Sequence, residues 1–407
     1  MRRTSSLRLG AALLAVSALV PLTISPAAAA VTGPARSATA PAGAASHRPD
    51  DDCPPGGFSP EVTAKLDAAI DQVRQETGTP GVIVGLWMPG QGTYVRATGV
   101  ADKATDQPMS TDLFMRIGSV TKTFTATTVL ELVDRGLVGL DDPIADYVDG
   151  VPDGQHITIR QLLEMRSGLF SYSADEEFVH TLESDPTRYF SPQELLAYGY
   201  KHDNIFPPGA QFNYSNSNYI LLGLVAEKLG RAPIADLVRE RVTEPSHMYR
   251  TLFPVGAEFP DPHAHGYTNQ TLDGQTVDAT GWNTSWGWSA GAMISNLRDM
   301  HRWAKVMATG TLLSPATQAE RLKFLPTGFP GTGYGLGIFE THGWIGHNGS
   351  IPGYEAVSVY LPEQKATLVV LINTDILHDG NEPSTLFAQA ITRIVTPDHV
   401  YDLPAQG

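Results

Sequence analysis

Ser119-Val120-Thr121-Lys122 stands immediately before the apolar run Phe124 to Val133, which ends at Arg135-Gly136. This spelling predicts a helix whose first turn carries both Ser119 and Lys122. Three residues is nearly one helical turn, so the two side chains face the same side. Unpaired N–H groups and the dipole at that end favour negative charge, which suits an oxyanion site. A capping serine beside a solvated lysine would be spelled the same way. Of all the lysines in the chain, however, only Lys122 has a serine three residues before it. A Ser-Lys pair can act as nucleophile and base only if the lysine is at times neutral. An ordinary lysine titrates near ~10.4, and lowering that by about three units takes roughly 4 kcal/mol, which burial and a polar network can supply.

Outward from this helix the pattern changes character. Ser59-Pro60 reads as an N-cap with proline at the first helical position, and Val62, Leu66, Ile70 and Val73 recur at helical spacing until Gly78. Gly81 to Met88 and Thr93 to Gly99 are β-rich runs around Pro89-Gly90-Gln91-Gly92, a hairpin pattern. Tyr354 to Leu361 and Ala366 to Asn373 repeat it, and a last helix is expected from about Ser384 to Val395. The middle is helical: Thr158-x-x-Gln161 and Ser191-Pro192-x-Glu194 resemble capping boxes, and Asn218 to Leu229 is an apolar helix. The expected class is α/β in the α+β sense, an antiparallel β-sheet flanked by N- and C-terminal helices with an inserted, mostly helical domain. The domain should run from about 58 to 397, with sheet regions near 58–118 and 286–397, the helical insert near 140–285, and a tail at 398–407.

Two further elements carry chemistry. Tyr214-Ser215-Asn216 follows the turn Pro207-Pro208-Gly209 and precedes an apolar helix. Its phenol can shuttle a proton between Ser119 and a leaving group, while Asn216 holds either Lys122 or a substrate amide. A second copy of the pattern, Tyr267-Thr268-Asn269, lies in a polar stretch before Asp273-Gly274 and reads as a surface turn. His347-Asn348-Gly349-Ser350 leads into the Tyr354 strand, so it is expected to form a sheet edge on the wall opposite Ser119, where small residues let an extended substrate pair with the backbone. His378-Asp379-Gly380 is spelled similarly but leads into a helix and reads as a loop.

Ser-x-x-Lys, Tyr-x-Asn and His-x-Gly, in this order, resemble the three motifs of the serine penicillin-recognising superfamily, in particular class C β-lactamases and secreted D-alanyl-D-alanine carboxypeptidases. Phe114 to Lys122, Met165 to Leu169, Ser289 to Ser295 and Tyr334 to Gly337 are similar to carboxypeptidase segments, so the resemblance spans about 60 to 395. It implies a β-lactamase/transpeptidase-like fold in which Ser119 attacks a carbonyl and forms an acyl-enzyme, with Lys122 and Tyr214 as proton-handling partners. It further implies substrate contacts at Asn216, Trp286, His347, Asn348, Gly349 and Ser350, with Phe178 a weaker candidate, and an oxyanion held by the N–H groups of Ser119 and Ser350. Carboxypeptidase-like activity on amides or esters is the implied function. Esterase, D-amino-acid amidase or class C-like β-lactamase activity are the alternatives, as is a penicillin-binding sensor with little turnover. Cell-wall peptide stems and β-lactams are among the substrates implied. One departure stands out. The arginine and threonine that hold a substrate's terminal carboxylate in such carboxypeptidases are here Phe339 and Asn348, and Arg298, the possible replacement, reads as a helix start distant from the pocket.

Bulk properties exclude other classes. With 28 Lys plus Arg against 43 Asp plus Glu and a net charge of -15, the chain lacks the basic stripe that nucleic-acid binding requires. Residues 1–30 read as a signal peptide: Arg2, Arg3 and Arg8, an apolar stretch, then Ala27 to Ala30. Secretion without a stable membrane anchor is the expectation. Residues 31–57 are an Ala/Pro/Gly-rich leader, unable to build a core, that holds Cys53, the single cysteine. No cofactor is expected. A metal-hydrolase reading rests on His263-Ala264-His265 alone, without a third ligand at recognisable spacing.

Overall fold

The computed structural model describes residues 56–403, so the signal-peptide stretch, Cys53 and most of the leader lie outside the described residues. Ser59 accepts from the Val62 N–H at 3.3 Å, Pro60 takes the first helical position, and Gly78 ends helix Pro60–Thr77 in the left-handed conformation. Such a cap contributes about 1 kcal/mol. Leu66 and Ile70 turn into the core. Thr158 and Gln161 form the reciprocal box that their spacing predicts. At Ser191 half of the box forms: the serine accepts from the Glu194 N–H, but the Glu194 carboxylate turns to Arg188.

Nine antiparallel strands make one sheet. Their order is Gln107–Pro108, Gly92–Asp102, Gly81–Met88, Ala366–Ile372, Tyr354–Leu361, Trp344–Ile351, Phe339–Thr341, Thr332–Tyr334 and Leu325–Pro326. Early and late segments of the described residues meet where Gly81–Met88 pairs with Ala366–Ile372, Val82 opposite Ile372 and Trp87 opposite Thr367. The hairpin turn is tighter than expected, because Gly92 already pairs with Met88. On the Tyr354–Leu361 strand, Ser358 donates to the Met300 carbonyl of helix Leu297–Thr309, while Glu355 accepts from the Ser384 N–H of helix Pro383–Val395. Residues three apart on a strand point to opposite faces. The two helices therefore cover opposite sides of the sheet, which is why all eight residues of this strand are buried, Glu355 and Ser358 included.

Between the two halves of the sheet lie helices Thr121–Asp134, Ile159–Leu163, Glu176–Ser184, Pro192–Gly199, Asn216–Gly230 and Ile234–Val238. In this middle region helical structure breaks off at Thr243, short of the 285 expected from sequence, and resumes with the turn Thr284–Trp286. Between the two, the regular structure among the described residues is one short ladder, Tyr267–Thr268 with Val277–Asp278. Pro254, Pro260 and Pro262 remove backbone donors through this stretch, so a helix has no run in which to propagate. No helix of the described residues is long and apolar enough to cross a membrane.

Candidate active site

Ser119 lies in a 3-10 turn, Gly118–Val120, which runs directly into helix Thr121–Asp134. Lys122 is wholly buried, with Nζ 2.9 Å from Ser119 Oγ and 2.8 Å from the Ala290 carbonyl oxygen. The rings of Tyr214 and Tyr219 stand over the same nitrogen at 4.8 and 5.6 Å. Burial pushes Lys122 well below the ordinary lysine value. A neutral amine at that distance can take the Ser119 proton. The Tyr214 hydroxyl is buried close to Ser119 without a hydrogen bond among the described residues. Burial drives its pKa well above the ordinary phenol, and the nearby Ser119 hydroxyl partly opposes this. Asn216 donates to Ser173 Oγ at 2.9 Å and not to Lys122, so of its two expected roles only contact with a substrate is open to it.

Two glycines bring the candidate oxyanion donors together. A Cβ on Gly349 would sit 2.1 Å from the Ile117 carbonyl oxygen and 2.8 Å from Ser119 N. A Cβ on Gly118, whose φ is +49°, would sit 2.8 Å from Ser350 N. The Ser119 turn and strand Trp344–Ile351 thus press backbone against backbone, and the N–H-bearing atoms of Ser119 and Ser350 become neighbours. The small residue at 349 is needed by the chain itself, beyond the substrate pairing expected from sequence.

His347 departs from its expected place on the cleft wall. It is 1% exposed, and alternation along the strand turns it away from Asn348, under Tyr334 and Phe339. Its Nδ1 faces the Asn348 carbonyl oxygen, so Nδ1 carries the proton and Nε2 accepts from the Tyr334 hydroxyl at 3.0 Å. Burial lowers its pKa to about 3, against an ordinary value near 6.5. Below pH 6.5 the unfolded chain binds a proton there that the folded chain refuses, so this contribution to stability is full above 6.5 and is lost as pH falls toward 3. Between pH 7 and pH 4 the loss is about 3 kcal/mol. Urea unfolding of His347→Gln at both pH values should show a correspondingly smaller acid sensitivity than the parent. Equal acid sensitivity in the two proteins would contradict this placement.

The cleft in front of Ser119 encloses about 580 Å³ and is lined by Tyr214, Asn216, Asn348, Gly349 and Ser350, together with Ser171, Ser173, Asn269, Gln270, Asp375 and Glu382. A side pocket of about 190 Å³ shares Ser173, Asn216, Gln270 and Ser350 with it and adds Phe178, Trp282 and Trp286. Trp286 and Phe178 therefore line a side pocket. Arg116, buried, anchors this wall by donating to Thr284 Oγ1 and to the Thr280 and Trp282 carbonyls. Asn269 and Gln270 correct the reading of 267–269 as a surface turn: Tyr267 and Thr268 are buried, which carries the next two residues into the cleft. Sequence reasoning also missed Asp375 and Glu382, which no local spacing connects to Ser119. Phe339 lies elsewhere, in an apolar recess of about 250 Å³ behind His347 that it shares with Phe212, Phe329 and Tyr334. Arg298 sits in the first turn of helix Leu297–Thr309 and is not among the cleft residues. His263 stacks on Phe259, and His265 faces Asp278 at 2.7 Å. Among the described residues no three His, Cys, Asp or Glu side chains converge to hold a metal ion.

A family model described as Beta-lactamase matches residues 66–390. A D-aminopeptidase of Brucella anthropi is 28% identical over 320 residues, covering 76% of this chain and 59% of that protein, so the chain spans about three fifths of its length. Among solved structures, the D-amino acid amidase of Ochrobactrum anthropi SV3 in complex with D-phenylalanine is 26% identical with a TM-score of 0.74, covering 83% of this chain and 99% of the amidase. A D-stereospecific amidohydrolase of a Streptomyces species is 29% identical with a TM-score of 0.70, covering 77% of this chain and 94% of the hydrolase.

Proposed function

The chain belongs to the Beta-lactamase family, the serine penicillin-recognising superfamily, and from that premise we propose that it is an exported serine hydrolase cleaving D-amino acid amides and short D-aminoacyl peptides or esters through an acyl-enzyme on Ser119. The contact of a wholly buried Lys122 with Ser119 at 2.9 Å carries the reaction type. Neutral Lys122 takes the hydroxyl proton as Ser119 Oγ bonds to the substrate carbonyl carbon, and the N–H groups of Ser119 and Ser350 hold the oxyanion. The proton passes by way of Tyr214 to the leaving nitrogen, the C–N bond breaks, and the amine departs. Water then adds to the acyl carbon, gives up a proton to the same pair, and releases acid and free serine.

The lining of the cleft supports the choice of substrate. Among the described residues that face it there is no Lys, Arg or His, while Asp375 and Glu382 are carboxylates. Phe339, where carboxypeptidases of this kind carry arginine, faces the separate apolar recess, and the Asn348 amide donates to Glu382 at 2.8 Å. A free terminal carboxylate would meet repulsion and no charge-assisted donor, a deficit of about 1.5 to 3 kcal/mol. The aromatic side pocket has the character to receive a side chain such as that of D-phenylalanine. Export is proposed on the basic, apolar and small-residue order of residues 1–30.

Steady-state rates on D- and L-phenylalanine amide, a D-alanyl-D-alanine peptide, a chromogenic cephalosporin and a short aryl ester test this reading. D-phenylalanine amide should exceed its L enantiomer and the free-carboxylate peptide by at least tenfold in kcat/KM. Preference for the free-acid peptide would return the protein to the carboxypeptidases, and a burst on the cephalosporin without turnover would make it a penicillin-binding protein.

A further inference from the structure

The Glu382 carboxylate sits in the cleft immediately before helix Pro383–Val395; its side chain does not cap that helix but reaches back to accept from Asn348 Nδ2 at 2.8 Å. Asn348 is the neighbour of Gly349 on the strand that carries the oxyanion donor Ser350. The other cleft carboxylate is already engaged: Asp375 accepts from the Gly353 N–H at 2.9 Å, from Thr268 Oγ1 at 3.0 Å and from Gln270. Glu382 has the Asn348 bond alone among the described residues. Resting on the reading of this cleft as an acyl-transfer site, we propose that Glu382 is the specificity residue that receives the substrate's free α-ammonium group.

The environment suits an anion that waits for a cation. Glu355, on the sheet beneath, is 1% exposed, accepts from Ser384 N–H through one oxygen and leaves the other without a partner. Burial and the nearby Glu382 push Glu355 well above the ordinary carboxylate range. Burial also raises Glu382, and the Asn348 amide opposes it. An ammonium at hydrogen-bond distance adds a charge-assisted contact and favours the charged carboxylate further. The Tyr214 hydroxyl lies buried on the same cleft, close to Ser119.

The test compares D-phenylalanine p-nitroanilide with its N-acetyl derivative, which lacks the cation, and with a neutral aryl ester, in the parent protein, Glu382→Gln and Glu382→Asp. Glutamine keeps an acceptor for Asn348 and removes the charge. The parent should prefer the free amine by at least tenfold in kcat/KM. In Glu382→Gln that preference should collapse through a rise in KM for the free amine at least tenfold larger than any change on the N-acetyl substrate or the ester, and Glu382→Asp should recover part of it. An equal loss on all three substrates, or an unchanged preference, overturns the assignment. If the glutamine variant does not fold, the parent still decides: phenethylamine should inhibit ester hydrolysis at least tenfold more strongly than phenethyl alcohol, and equal inhibition overturns it. The ester separates the two levels. Ester turnover that depends on Ser119 without amine preference removes the role of Glu382 only, whereas ester turnover that survives Ser119→Ala removes the reading of the site itself.

Discussion

Replacing Ser119 by alanine is expected to lower kcat on every substrate by roughly 10⁴-fold or more while leaving the unfolding midpoint nearly unchanged. The hydroxyl is half-buried at the cleft and its hydrogen bond is to Lys122, so its removal opens no large cavity. Lys122→Ala should cost a similar factor, because without the buried amine nothing at 2.9 Å takes the serine proton. Tyr214→Phe should cost about 10² to 10⁴, the usual range for a lost proton carrier. Since the three act on one proton path, Lys122→Ala combined with Tyr214→Phe should be little worse than Lys122→Ala alone. Kinetics on the single and double variants, with circular dichroism to verify folding, check this. Losses that multiply would mean that the two residues act separately.

Gly349→Ala is the second large effect. The new methyl carbon would stand 2.1 Å from the Ile117 carbonyl oxygen, which is backbone and cannot rotate aside. The strand must therefore lift off the Ser119 turn, and Ser350 N moves with it. Losing one oxyanion donor typically costs 10² to 10³ in kcat, and the overpacking itself about 1 to 3 kcal/mol of stability. The expected result is a folded, less stable protein whose kcat falls by at least a hundredfold while KM changes less. A variant with nearly parental kcat would show that the packing of Gly349 on the Ser119 turn does not set the geometry of the reaction.

Much of this architecture was legible from local pattern. Ser59-Pro60, Thr158-x-x-Gln161 and the two hairpins are short-range signals, and short-range geometry decides them. The Ser119–Lys122 contact is likewise local, one turn of chain. His347 was misread because a motif names a residue without its face, and on a strand the next residue points the other way. Glu382 and Asp375 were illegible for another reason. They reach the cleft only through pairing of chain segments far apart, as Asn348 does with Glu382 across 34 positions. Gly118 and Gly349 belong to the same class, since the atoms that forbid a side chain at each lie more than 200 residues away in sequence.

The most direct measurement is to trap the acyl-enzyme. The full chain is mixed with a D-phenylalanine aryl ester, quenched in acid within the first turnovers, weighed intact by mass spectrometry, and digested to locate the added group. The account predicts a single D-phenylalanyl addition on the peptide carrying Ser119, absent from Ser119→Ala and accumulating with D over L ester. An adduct on another residue, or turnover that continues in Ser119→Ala, would contradict it.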